Sequence, residues 1–78
     1  MTERIDDATR AMFDLVREVR HDLNGPLTSA LGNVQLMLED PNIVDREVRE
    51  SLGDIEADLR RLAGMIRRLT AIRPPEGD

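Results

Sequence analysis

Cysteine, tryptophan, tyrosine and lysine are all absent from the 78 residues. Without cysteine there is no disulfide framework, no thiolate zinc site and no cysteine nucleophile. Without lysine there is no Schiff base and no P-loop ammonium, so all 11 cations are arginine. Phe13 is the only aromatic residue, which argues against an aromatic-rich β-sandwich and against binders that stack bases on aromatic rings. His21 is the only histidine, so a histidine-cluster metal site is excluded and no metal ligand set is assigned. Eleven arginines against 16 acids give a net charge of −5, which lends no electrostatic support to a nucleic-acid partner. No apolar run approaches the roughly 18 residues of a membrane span, and no basic, apolar leader is present. The expectation is a single cytoplasmic domain over residues 1–78 with no membrane contact by this segment. Alone, a chain this small buries only about 60% of its unfolded surface and is marginal.

What is present is strongly periodic. Ile5, Ala8, Met12, Leu15, Val19, Leu23, Leu27, Leu31, Val34 and Leu38 follow one another at steps of three or four, the spacing of one helix face. The first helix is expected over about 3–38, capped by Thr2, and roughly 50 Å long. Glu39-Asp40-Pro41-Asn42 breaks it, with a loop expected over about 39–43. Proline suits the first turn of a following helix, with Asp40 as its N-cap. Val44, Val48, Leu52, Ile55, Leu59, Leu62, Ile66 and Leu69 alternate steps of four and three, a coiled-coil-like seam, so the second helix is expected over about 44–72. Arg73-Pro74-Pro75 ends it, leaving 73–78 as a tail.

Two long helices and a short connection make an antiparallel hairpin. Each stripe would remain half covered, and burying a Leu or Ile side chain stabilises by roughly 1.5–3 kcal/mol. The fold class expected is therefore all-α: a two-helix hairpin that pairs about a twofold axis into a homodimeric four-helix bundle. A heteromeric bundle is the alternative.

Chemistry concentrates in His21-Asp22-Leu23-Asn24-Gly25-Pro26-Leu27-Thr28. On a helical wheel centred on Val19, Leu23 and Leu27 mark the core side and His21 lies opposite, about 200° round. A solvent-facing imidazole is largely neutral and nucleophilic near pH 7. Asp22 is placed to orient it or accept its proton. Pro26 removes the helical hydrogen bond to the Asp22 carbonyl and crowds it, at roughly 3 kcal/mol in an ordinary helix interior. Because the apolar phase continues through it, a kink is expected rather than a helix end. On the same wheel Gly25, Thr28 and Gly32 all fall within about 40° of His21. They form a strip of small residues beside the histidine that would admit a partner docking close to the backbone. Read blandly, His21 is a surface histidine, Asp22 one more surface acid, Gly25 a relief for Pro26 and Gly32 incidental.

These residues resemble the H-box of the dimerisation and histidine-phosphotransfer (HisKA, or DHp) domain of two-component sensor histidine kinases. That box has His, then Glu or Asp, and then Pro-Leu, as His21, Asp22, Leu23, Pro26 and Leu27 do here. The resemblance extends over nearly the whole chain and implies a dimeric four-helix bundle. By it, His21 is the phosphoacceptor, Asp22 its base or hydrogen-bond partner, and Pro26 the bend between two segments. It also implies that a separate ATP-binding kinase domain, in cis or in trans, phosphorylates His21, and that a receiver domain of a response regulator takes the group onto an Asp. Such transfers depend on positioning and charge neutralisation. No glycine-rich nucleotide site is present, so this chain is expected to bind no cofactor and to be inactive alone; ATP and Mg²⁺ belong to the partner domains. The family often has Thr or Asn where Gly25 stands, positioning a water for dephosphorylation of the partner, and glycine has no side chain for that task. The alternatives are a stand-alone phosphotransfer protein and a non-catalytic dimeric coiled-coil scaffold.

Overall fold

The structure is a computed structural model, and it describes residues 6–72. Two helices carry almost everything in it. Helix α1 runs Asp7–Glu39 and helix α2 runs Arg46–Arg68, followed by a short 3-10 turn, Leu69–Ala71. Phe13 in the first half of α1 shares a furrow with Thr70 and Ile72 beyond the end of α2, so the helices are antiparallel. The pair forms a rod of 65 × 16 × 15 Å.

The ends are set by side chains. Asp6 has extended backbone, and its carboxylate accepts the Thr9 N–H at 2.7 Å. Helix α1 therefore begins later than residue 3, and the expected cap at Thr2 lies outside the described residues, as does the expected tail 73–78. The connection also differs from expectation. Asp40 does not cap α2. Its carboxylate accepts the Asn42 N–H at 2.8 Å, and its carbonyl accepts the Ile43 N–H at 3.2 Å. This is a turn with Pro41 at its second position, where a fixed φ is also favoured. Asp45 caps α2 instead, accepting the Val48 N–H at 3.0 Å. Val44 thus lies in the loop, 80% exposed, and does not belong to the seam. At the other end α2 tightens into the 3-10 turn, with the Thr70 hydroxyl donating to the Arg67 carbonyl at 2.6 Å. Arg67 and Arg68 face the negative end of the helix dipole there.

One side chain joins the helix ends across the loop. The Arg49 guanidinium donates to the carbonyls of Leu38 and Ile43. Pro26 lies inside α1, which continues unbroken on both sides of it; the residue does not end a helix.

The hairpin has almost no core of its own. Among the described residues only Val34, Leu52 and Ile66 are buried, whereas twelve large apolar side chains are exposed. The exposed ones are ordered. Met12, Leu15, Val19 and Leu23 form a strip on α1, and Val48, Ile55 and Leu62 recur every seven residues on α2. Leu23, on the side expected to face the core of the bundle, is on this strip, 45% exposed in the single hairpin.

Candidate functional site

His21 lies near the middle of α1, exposed, and its surroundings come from its own helix. A helical side chain leans toward the N-terminus, so the imidazole covers the turn that precedes it. The groove it occupies is lined by Asp14, Arg17, Glu18, Arg20 and Asn24. Arg17 stands one turn before His21, and its Nη2 lies 3.2 Å from Asp14 Oδ1. Arg20 is half-buried because it turns toward α2, where it also lines the furrow of Phe13, Thr70 and Ile72.

Asp22 is exposed and lies outside that groove. Adjacent residues on a helix point about 100° apart, and among the described residues Asp22 makes no hydrogen bond to His21. Pro26 is exposed one turn further on and offers no N–H to the Asp22 carbonyl.

The small-residue strip is divided. Gly25 and Thr28 are exposed, whereas Gly32 is half-buried, more covered than the wheel indicates. A Cβ built at Gly25 or at Gly32 would meet nothing of the surrounding fold within 4 Å. Thr28 and Gly32 line a shallow groove together with Leu36, which is 66% exposed. On the wheel Leu36 lies about 60° from His21 and equally far from Leu15, between the histidine face and the apolar strip of α1.

The motif assigned none of the other groove residues a role, and Arg17 and Asn24 are two of those at contact spacing from His21. Their offsets from His21, four residues before and three after, are those at which helical side chains are neighbours, so spacing alone could have found them. The Asp6 carboxyl is held below its ordinary value of 3.8, chiefly by the Thr9 backbone hydrogen bond. It is a helix cap, remote from the site. Among the described residues no group of His, Asp or Glu is placed to hold a metal ion, and no helix is long and apolar enough to cross a membrane.

No curated protein and no solved structure matches the chain. A family model does, over residues 2–74: the His Kinase A (phospho-acceptor) domain. With a match over nearly its whole length, a helical hairpin, and its sole histidine exposed on the first helix, the chain belongs to the His Kinase A phospho-acceptor family, the dimerisation and phosphoacceptor domain of histidine kinases.

Proposed function

We propose that His21 is the phosphoacceptor: it receives a phosphoryl group from ATP held by a separate kinase domain and passes it to an Asp on a response-regulator receiver. The observation that carries this reading is the exposed, solitary imidazole of His21 within His-Asp-Leu-Asn-Gly-Pro-Leu, on a chain of this family. A ring nitrogen attacks the γ-phosphorus, the bond from phosphorus to the bridging oxygen breaks, and ADP leaves with the electron pair. Asp22 accepts the proton released from the imidazole, which requires its side chain to turn toward its neighbour on the helix. Pro26 leaves the Asp22 carbonyl without its helical donor, which loosens the turn where this happens. ATP and Mg²⁺ act from the kinase or receiver domain, on the cytoplasmic side.

The hairpin works as a homodimer. The strips of Met12, Leu15, Val19 and Leu23 and of Val48, Ile55 and Leu62 are what a second hairpin would cover. The receiver docks along Gly25, Thr28 and Gly32 beside the histidine; the exposed Leu36 in the same groove supports an approach from that side.

The test is incubation with a histidine-kinase domain, ATP and Mg²⁺, followed by assay for acid-labile, base-stable phosphate. Label on the parent chain and none on His21→Gln, with helicity and dimerisation unchanged, is the expected result. Label that persists in His21→Gln, or a parent that takes none, rejects the reading and leaves a dimeric scaffold.

A further inference from the structure

We propose that Arg17 binds the phosphoryl group carried by His21, and that Asp14 holds the guanidinium in reserve until that group arrives. The inference rests on His21 being the phosphoacceptor and adds to it a residue and an exchange of partners. Arg17 and His21 are four residues apart on α1, a spacing that brings their Cβ atoms to about 5–6 Å. Both lean toward the N-terminus, so the imidazole lies over the turn that bears Arg17. Both line one groove.

Charge within that groove decides the argument. Asp14 and Glu18 oppose Arg17 and Arg20, so the groove is formally neutral before reaction. A phosphoryl group adds about −1.5 to −2. If Arg17 stayed with Asp14, the new dianion would face Glu18 with only Arg20 to offset it. Arg20 is half-buried and lies toward α2, which limits its reach. Arg17 is under no such restraint. Its side chain is 71% exposed and that of Asp14 59%, and a single contact of 3.2 Å joins them. An exposed pair of this kind contributes little. A phosphoryl group offers the guanidinium two parallel, charge-assisted hydrogen bonds, a geometry a single carboxylate oxygen does not match. Arg17 therefore exchanges Asp14 for the phosphoryl oxygens as the bond to His21 forms.

A kinase-independent donor tests this on the 78-residue chain itself. With phosphoramidate, a ring nitrogen of neutral His21 attacks phosphorus, the phosphorus–nitrogen bond of the donor breaks, and ammonia leaves with the electron pair. The imidazolium N–H proton then passes to solvent or buffer. Formation of phosphohistidine is followed by ³¹P NMR. Arg17→Gln should charge about tenfold more slowly, and Arg17→Lys should recover part of that rate, because the charge remains without the planar fork. Asp14→Asn should charge about threefold faster, because it releases the guanidinium. The double variant should match Arg17→Gln. A merely structural ion pair predicts otherwise, since either single change would break it and shift the rate in the same direction. If Arg17→Gln charges as fast as the parent, or Asp14→Asn slows as much as Arg17→Gln, the inference is overturned while His21 stays the acceptor. If the parent takes no phosphoryl group at His21, both the inference and the reading beneath it fail.

Discussion

The guanidinium of Arg49, in the first turn of α2, donates back across the loop to the carbonyl of Leu38 at the end of α1. It donates from its other terminal nitrogen to Ile43, so one side chain ties the last turn of the first helix, the loop and the second helix together. Hydrogen bonds to a charged group are worth about 1.5–3 kcal/mol net. Arg49→Met should therefore lower stability by about that amount in thermal unfolding followed by circular dichroism. Arg49→Lys should recover less than half, because one ammonium cannot span both carbonyls in a fork. An unchanged melting temperature in Arg49→Met would show that the loop holds its form without the clamp.

Two kinds of leucine and isoleucine substitution should separate association from folding. Ile55 is 45% exposed in the hairpin, on the row that recurs every seven residues, whereas Leu52 is 7% exposed. Ile55→Asp should abolish the dimer in light scattering, since a charge would be placed in the seam between hairpins. Leu52→Ala should leave the assembly state of the folded fraction unchanged while costing about 2–5 kcal/mol in stability. A parent that scatters as a folded monomer of 8.8 kDa would remove the homodimer.

The two helix caps respond differently to treatment. Asp45→Ala should cost about 1 kcal/mol, the usual worth of an N-cap. Asp6 adds a pH dependence. Its carboxyl is held below its ordinary value of 3.8 by the bonds from Thr9. Folding therefore favours its charged form, and the contribution is complete above about pH 4 and disappears as the pH falls through the lowered value. Carboxyl-carbon NMR titration should place Asp6 below 3.8, and Asp6→Asn should keep the cap while removing that part of the acid response. A titration at or above the ordinary value would contradict the cap.

Gly25 and Gly32 should diverge on substitution. At both positions a Cβ meets nothing within 4 Å beyond the chain neighbours and the helix's own backbone, and a helical glycine costs up to about 1 kcal/mol against alanine. Gly32→Ala should accordingly raise the melting temperature. Gly25→Ala should not, because a Cβ before proline clashes with the ring in helical backbone. Gly32→Arg should leave phosphorylation of His21 intact and weaken receiver binding about tenfold or more, which is ~1.4 kcal/mol. Relay at the parental rate in that variant would remove the strip as the docking surface. Gly25→Thr or Gly25→Asn should raise dephosphorylation of the receiver, provided the fold survives.

The helices themselves were legible because apolar steps of three and four persist through Leu38 and from Val48 onward. The loop was not. Val44 fits the four-residue step to Val48, so periodicity carried the second helix back too far. Residue chemistry argued otherwise only in part: Ile43-Val44 is β-branched and a poor helix start, and Asp45 is as good an N-cap as Asp40. Pro41 suits both a first helical turn and the second position of a tight turn, and only the Asp40 hydrogen bonds distinguish them. The histidine was legible by its isolation and its motif. Arg17 is no part of that motif, and only its spacing of four residues from His21 pointed to it.

The scarcity of buried side chains has a consequence for how much of the protein is folded at a given abundance. In the proposed homodimer, a hairpin with three buried residues among those described would draw most of its stabilisation from a second copy, and its folding equilibrium would contain a concentration term. Each tenfold dilution removes about 1.4 kcal/mol per dimer by mass action. The melting temperature of this chain is then a property of the solution as much as of the sequence. Tethering two copies, which replaces concentration with a fixed local value, would make folding independent of dilution.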